Sequence, residues 1–205
     1  GNNNKIVVAS NLPKKIEVFK RTNLSIGNPI KFVCVGRISP EKGTLVMLKA
    51  LIKSEFRKPI SIDIYGAIYD QIYWNKCLDV IKKLPANVKV SQKGIVPSED
   101  IPEILNRYDF FILLSKGENF GHSIIEAMSA GLPVIISELT PWKNLESQSI
   151  GWDVDIEDDN EIQRVLDNAI NMNKKEYGKF SINAYNYAKD FNEKSDAKFI
   201  YKELL

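Results

Sequence analysis

Two short clusters hold the residues best suited to chemistry: Gly36-Arg37-Ile38-Ser39-Pro40-Glu41-Lys42-Gly43, and Glu118-Asn119-Phe120-Gly121 with Glu126-Ala127 behind it. The first carries fixed cations. Arg37 offers a planar fork of donors and Lys42 a compact point charge, and both suit phosphate oxygens. Gly36 can adopt positive φ or admit a close backbone approach. Gly43 and Thr44 open a helix whose free N–H groups favour anions. A solvated loop with ordinary surface charges has the same look, because short Gly/Lys strings recur by chance.

The second cluster carries carboxylates. Gly121-His122 begins the largely apolar stretch 122–130, in which Glu126 is the acidic residue. A buried, unpaired carboxylate is costly, so Glu126 has to face water or a polar ligand. Glu118 stands eight residues earlier. Sugar hydroxyls are good donors to carboxylates, so two glutamates can grip two sugars. The N–H groups of Asn119, Phe120 and Gly121 gather at the helix start, ready for phosphate or sugar oxygens. The plainer arrangement is a capping Glu118 and an exposed Glu126. His122 fits equally as a helix-start residue packed near the loop and as a donor to a diphosphate or sugar.

Regular alternation of elements positions both clusters. Strands are expected at 31–36, 60–65, 88–92, 109–114 and 132–136, with helices at 44–55, 69–84, 98–107 and 122–130. Leu45, Leu48, Leu51 and Ile52 keep helical spacing, as do Ile101, Ile104 and Leu105. Several strands are unbroken apolar runs, the signature of a parallel sheet covered on both faces. The pattern predicts right-handed βαβ units in a doubly wound, Rossmann-like α/β fold. Beyond it come a last short strand at 150–154 and helices near 159–171, 174–190 and 193–204. Residues 5–9 read as a strand or an extended linker. If the sheet has order 3-2-1-4-5-6, strands 1 and 4 are neighbours where the winding reverses, and ligands bind outside their carboxyl ends. The two clusters begin in those two loops.

Composition narrows the field. The chain has 205 residues, enough for one domain with a substantial core, and its 44% hydrophobic content is that of a soluble globular protein. With 28 basic and 26 acidic residues the net charge is only +2, which argues against a nucleic-acid module. Cys34 and Cys77 show no metal-ligand spacing and read as core residues of a reducing compartment. A single histidine excludes a multi-histidine metal site. No apolar run approaches the roughly 18–20 residues that cross a bilayer, and no signal peptide is visible, so a cytoplasmic domain is the default. Gly1-Asn2-Asn3-Asn4 reads as linker, and the chain as part of a longer protein.

From Gly36 to Gly43 the chain reads G-R-x-x-x-x-K-G; E-x-F-G and the Glu118–Glu126 spacing follow, then Glu126-Ala127-Met128-Ser129-Ala130-Gly131-Leu132-Pro133-Val134-Ile135. In this order they resemble the nucleotide-sugar-binding, C-terminal half of retaining glycosyltransferases of the GT-B fold, family 4 ("group 1"). The likeness covers roughly residues 31–200. It implies that Arg37 and Lys42, beside Gly36, bind the donor diphosphate and stabilise the leaving nucleoside diphosphate. It gives Glu126 the ribose hydroxyls and Glu118 the donor sugar, with Asn119, Phe120, Gly121 and His122 around them. Lys93-Gly94-Ile95-Val96 matches the loop that meets the nucleobase.

Further implications are a UDP- or GDP-sugar donor, retention of configuration, and no essential metal. The acceptor would be a glycan or lipid-linked sugar in cell-surface polysaccharide synthesis, on the inner face of a membrane to which the full-length protein is peripheral. Residues 1–30 would be linker and the end of a missing acceptor domain, and 31–205 the donor domain, inactive in transfer by itself. The family commonly has Gly where Asn119 stands. Two alternatives remain: a nucleotide-sugar 2-epimerase of the same architecture, and an inert nucleotide-sugar-binding domain. A dinucleotide dehydrogenase is disfavoured because no G-x-G-x-x-G follows the first strand.

Overall fold

A computed structural model of the chain describes residues 24–53 and 56–203. The expected segment 5–9, most of the proposed linker 1–30 and the ends of two expected helices lie outside the described residues. Six parallel strands form one sheet: β1 (Ile30–Val35), β2 (Ile60–Tyr65), β3 (Val88–Gly94), β4 (Phe110–Leu113), β5 (Val134–Ser137) and β6 (Gly151–Val154). Their order is β3-β2-β1-β4-β5-β6, so β1 and β4 are neighbours. Every residue of β4 and β5 is buried, as unbroken apolar runs in a two-sided parallel sheet should be. β2 alternates instead: Ile60, Ile62 and Ile64 are buried, while Ser61, Asp63 and Tyr65 are half-buried on the other face.

The helices are α1 (Thr44–Lys53), α2 (Gln71–Ile81), α3 (Ile101–Leu105), α4 (His122–Ser129), α5 (Asp159–Asn171) and α6 (Lys174–Glu203). α1 packs with α2 and α5, and α4 with α3 and α6, one group to each face of the sheet. Capping sets several boundaries. Asp70 accepts the Tyr73 N–H at 2.9 Å and starts α2 later than expected, and Asp158 accepts the N–H groups of Asn160 and Glu161 at the start of α5. α3 is only five residues long, shorter than the expected 98–107. The two helices expected at 174–190 and 193–204 are one, α6. No Gly or Pro interrupts 190–193. Phe191 continues the helix onto the rings of Trp142 and Phe120, at 5.1 and 5.8 Å between centroids.

Asp109 fastens the layers where the winding reverses. Its buried carboxylate accepts the N–H groups of Lys31 (2.8 Å) and Gly27 (3.2 Å), and its carbonyl accepts the Tyr177 hydroxyl of α6 at 2.9 Å. Each of these N–H groups would otherwise need another partner, at about 1–3 kcal/mol if buried without one.

Candidate functional site

The loop after β1 is held to its neighbours mainly by backbone. The Gly36 N–H donates to the Tyr65 carbonyl at 2.9 Å, closing the β1–β2 ladder. Pairing resumes beyond it, with Ile38 N–H to the Ala67 carbonyl (2.8 Å) and Tyr69 N–H to the Ile38 carbonyl (3.1 Å). That register pairs Ile38 with Ile68, and the Arg37 guanidinium carbon lies over the Tyr69 ring, 4.9 Å from its centroid. A 3-10 turn, Pro40–Lys42, leads into α1. Gly43 follows at φ 67°, and a Cβ there would stand 1.7 Å from the Leu114 carbonyl oxygen. Glycine therefore lets this loop rest on the end of β4. The Lys116 N–H adds a second link, donating to the Glu41 carbonyl at 2.8 Å.

Those contacts bring the two clusters together. Lys42 Nζ lies 2.6 and 2.8 Å from the two carboxylate oxygens of Glu118, and the side chains are only 21% and 10% exposed. The Lys42 stem crosses over Gly36, where a Cβ would meet Lys42 Cδ at 3.8 Å. Gly36 does not use positive φ, and a Cβ there would make only ordinary van der Waals contact with the lysine. Beneath the pair, burial pushes the Cys34 thiol up to about 12, with Lys42 pulling it down and Glu118 pushing it up. One N–H expected for anions at the start of α1 is already used, since Leu45 donates to the Tyr73 hydroxyl at 2.7 Å.

The loop after β4 ends at Gly121, whose left-handed backbone (φ 81°, ψ 59°) starts α4. A Cβ there would stand 2.8 Å from Ile124 Cδ1. The buried Trp142, from the β5–β6 loop, donates its indole N–H to the Phe120 carbonyl at 2.7 Å. In a trans peptide the C=O and the following N–H point opposite ways, so this bond turns the Gly121 N–H away from Trp142. Among the described residues, the N–H groups of Asn119, Phe120 and Gly121 donate to no protein acceptor. Asn119 is exposed and has no positive φ, so the backbone does not demand the glycine that the family commonly places here. His122 is exposed with its ring 4.7 Å from that of Phe120. Glu126 is half-buried on the second turn of α4.

The third segment sits apart. Lys93 and Gly94 belong to β3 rather than to the loop after it, because the strand runs two residues beyond its expected end. Lys93 Nζ lies 3.4 Å from Asp63 on β2, and Asp63 also accepts the Tyr108 hydroxyl at 2.7 Å. Burial, first, and hydrogen bonds to Tyr65 and Asp63 raise the Tyr108 hydroxyl above its ordinary range. Lys93 is thus directed at a neighbouring carboxylate. Ile95 is 77% exposed at the end of β3, and Tyr69 is 71% exposed at the end of β2.

A doubly wound parallel sheet with charged loops meeting at its switch point defines a ligand-binding α/β domain of the Rossmann-like kind. The chain belongs to the glycosyl transferases group 1 family, whose model matches residues 15–187. It is similar to mannosylfructose-phosphate synthase of Agrobacterium fabrum, 29% identical over 111 residues that make up 51% of this chain and 24% of that protein. It is also similar to the GDP-mannose:cellobiosyl-diphosphopolyprenol alpha-mannosyltransferase of Xanthomonas oryzae, 32% identical over 117 residues, covering 56% of this chain and 30% of that one. The matched region thus spans a quarter to a third of these relatives. Among solved structures, Anabaena HepE in complex with UDP and glucose matches 85% of this chain and 48% of its own, with TM-score 0.69 and 22% identity. The C-terminal domain of the group 1 protein LpcC from Francisella tularensis matches 80% of this chain and 87% of its own, with TM-score 0.68 and 22% identity. These likenesses establish the GT-B-type fold.

Two contributors escaped sequence reading. Tyr69 is placed under Arg37 by backbone pairing beyond the strand ends, and Trp142 reaches Phe120 from 22 residues away. Neither has a local signal beyond being an aromatic residue in a loop.

Proposed function

We propose that this chain is the donor-binding domain of a retaining glycosyltransferase, which takes a sugar from a nucleoside-diphosphate sugar to a glycan or lipid-linked acceptor. The observation that carries the reading is the Lys42–Glu118 contact, which joins a phosphate-type cation to a sugar-type carboxylate at the switch point. Lys42 and Arg37 receive the diphosphate and stabilise the charge that grows on the leaving nucleoside diphosphate. Glu118 accepts from hydroxyls of the donor sugar, and Glu126 from those of the ribose. The amides of Asn119, Phe120 and Gly121 face phosphate or sugar oxygens, beside His122. Gly94 and Ile95 border the base, with Lys93 behind them on Asp63. No metal is needed, because fixed cations and amides supply the positive charge.

The donor is a UDP- or GDP-sugar, in keeping with UDP at the HepE neighbour and GDP-mannose in the name of the Xanthomonas relative. Residues 31–205 form the donor domain, and 1–30 connect it to a domain that holds the acceptor; the 205 residues bind donor without transferring it. Such a protein works in cell-surface polysaccharide synthesis at the cytoplasmic face of a membrane, as a peripheral protein. Among the described residues no helix is long and apolar enough to cross a bilayer. A thermal-shift screen of UDP-, GDP- and ADP-sugars tests the reading. A true donor at about 100 times its dissociation constant adds about 2.7 kcal/mol of stability. A flat response to all three classes would sink it.

A further inference from the structure

Lys42 and Glu118 hold each other in a site where, under the reading above, one should hold phosphate and the other sugar. Both carboxylate oxygens lie on one ammonium, at 2.6 and 2.8 Å. An ammonium has three protons, so this grip leaves one for a phosphate. The two loops that carry the pair are themselves joined, with Gly43 resting on Leu114 and the Lys116 N–H donating to the Glu41 carbonyl.

Resting on that reading, we propose that the Lys42–Glu118 pair is a latch that makes the site prefer a sugar-bearing nucleoside diphosphate over a bare one. To engage more than that one remaining proton, a bare diphosphate must draw Lys42 away from Glu118. It then leaves a carboxylate only 10% exposed, short of donors and close to new negative charge. With a sugar attached, its hydroxyls replace Lys42 as donors to Glu118, and the loss is offset. Once the sugar has been transferred, Glu118 returns to Lys42 and competes with the departing nucleoside diphosphate. Glu118 thereby sets specificity for the loaded nucleotide and hastens product release.

Calorimetric titration of wild type and Glu118→Gln with inorganic pyrophosphate, UDP, GDP, UDP-glucose and GDP-mannose tests this. Glutamine keeps the shape and one acceptor for Lys42 but removes the charge. The variant should bind pyrophosphate and the preferred bare nucleotide at least tenfold more tightly, about 1.4 kcal/mol. Its preference for the sugar-bearing form should fall by at least the same factor. Should Glu118→Gln not fold, Glu118→Ala carries the same expectation. If wild type binds nucleotide and the variant binds the bare form equally or more weakly, the latch is wrong while the site stands. If neither protein binds any of the five, the reading of the site falls and the latch with it.

Discussion

Where β1 meets β4, backbone contacts and a sheltered ion pair fix the charged side chains; at the outer flank, beyond β2 and β3, backbone pairing fixes the chain but the side chains it presents stand exposed. At the centre, Gly43 leaves no room for a Cβ against Leu114, and the Lys42–Glu118 pair is largely shielded. At the flank, Tyr69 and Ile95 stand mostly in solvent, and Arg37 rests on the Tyr69 ring. Under the proposed function, the difference separates two tasks. Charge stabilisation needs donors fixed before the ligand arrives. Contact with a flat base tolerates side chains that settle around it.

The sharpest way to break this contrast is Gly43→Ala. Its Cβ would collide with the Leu114 carbonyl, so denaturant unfolding should show a loss of about 3 kcal/mol or more. Wild-type stability would mean the centre is as pliable as the flank. Trp142→Phe removes the indole donor to Phe120 while keeping a ring in place. It should cost about 1 kcal/mol of stability and weaken nucleotide-sugar binding, read by the same unfolding curve and by calorimetry. Tyr69→Ala belongs to the flank. It should leave the fold intact and reduce nucleotide affinity only a few-fold, in line with an exposed cation–π contact of about 0.5–1 kcal/mol.

The smallest effect is one of pH. Cys34 has its thiol raised from 9.0 to about 12 by burial, so between those values the unfolded chain ionises and the native one does not. The unfolded state then binds fewer protons, and stability should fall as pH rises through that window. Cys34→Ala should flatten the slope, as measured by unfolding midpoints at pH 8 and 10. In the folded protein at pH 8, Cys34 should resist alkylation.

Much of the fold was legible because the apolar runs of β4 and β5 and the helical spacing of α1 are strong local signals. The strand order was an assumption from the general winding rule, and the structure has that order. Boundaries were less legible where a side chain sets them, as Asp70 does for α2. The break expected in α6 failed because nothing chemical interrupts 190–193, whereas Phe191 has rings to pack on. Within the site, the clusters that carry Lys42 and Glu118 could be brought together from topology, since they follow neighbouring strands, but their direct contact could not be read from it. Tyr69 and Trp142 could not. Their partners are chosen by loop register and by a contact across the sheet edge, which no spacing encodes.

The most direct test is calorimetric titration of UDP and GDP into wild type and Lys42→Ala. One fixed cation at the junction of the β1 and β4 loops is held here to carry the diphosphate. Losing it should weaken the preferred nucleotide about a hundredfold, about 2.7 kcal/mol, with the fold retained. Equal affinity in the two proteins would contradict the account.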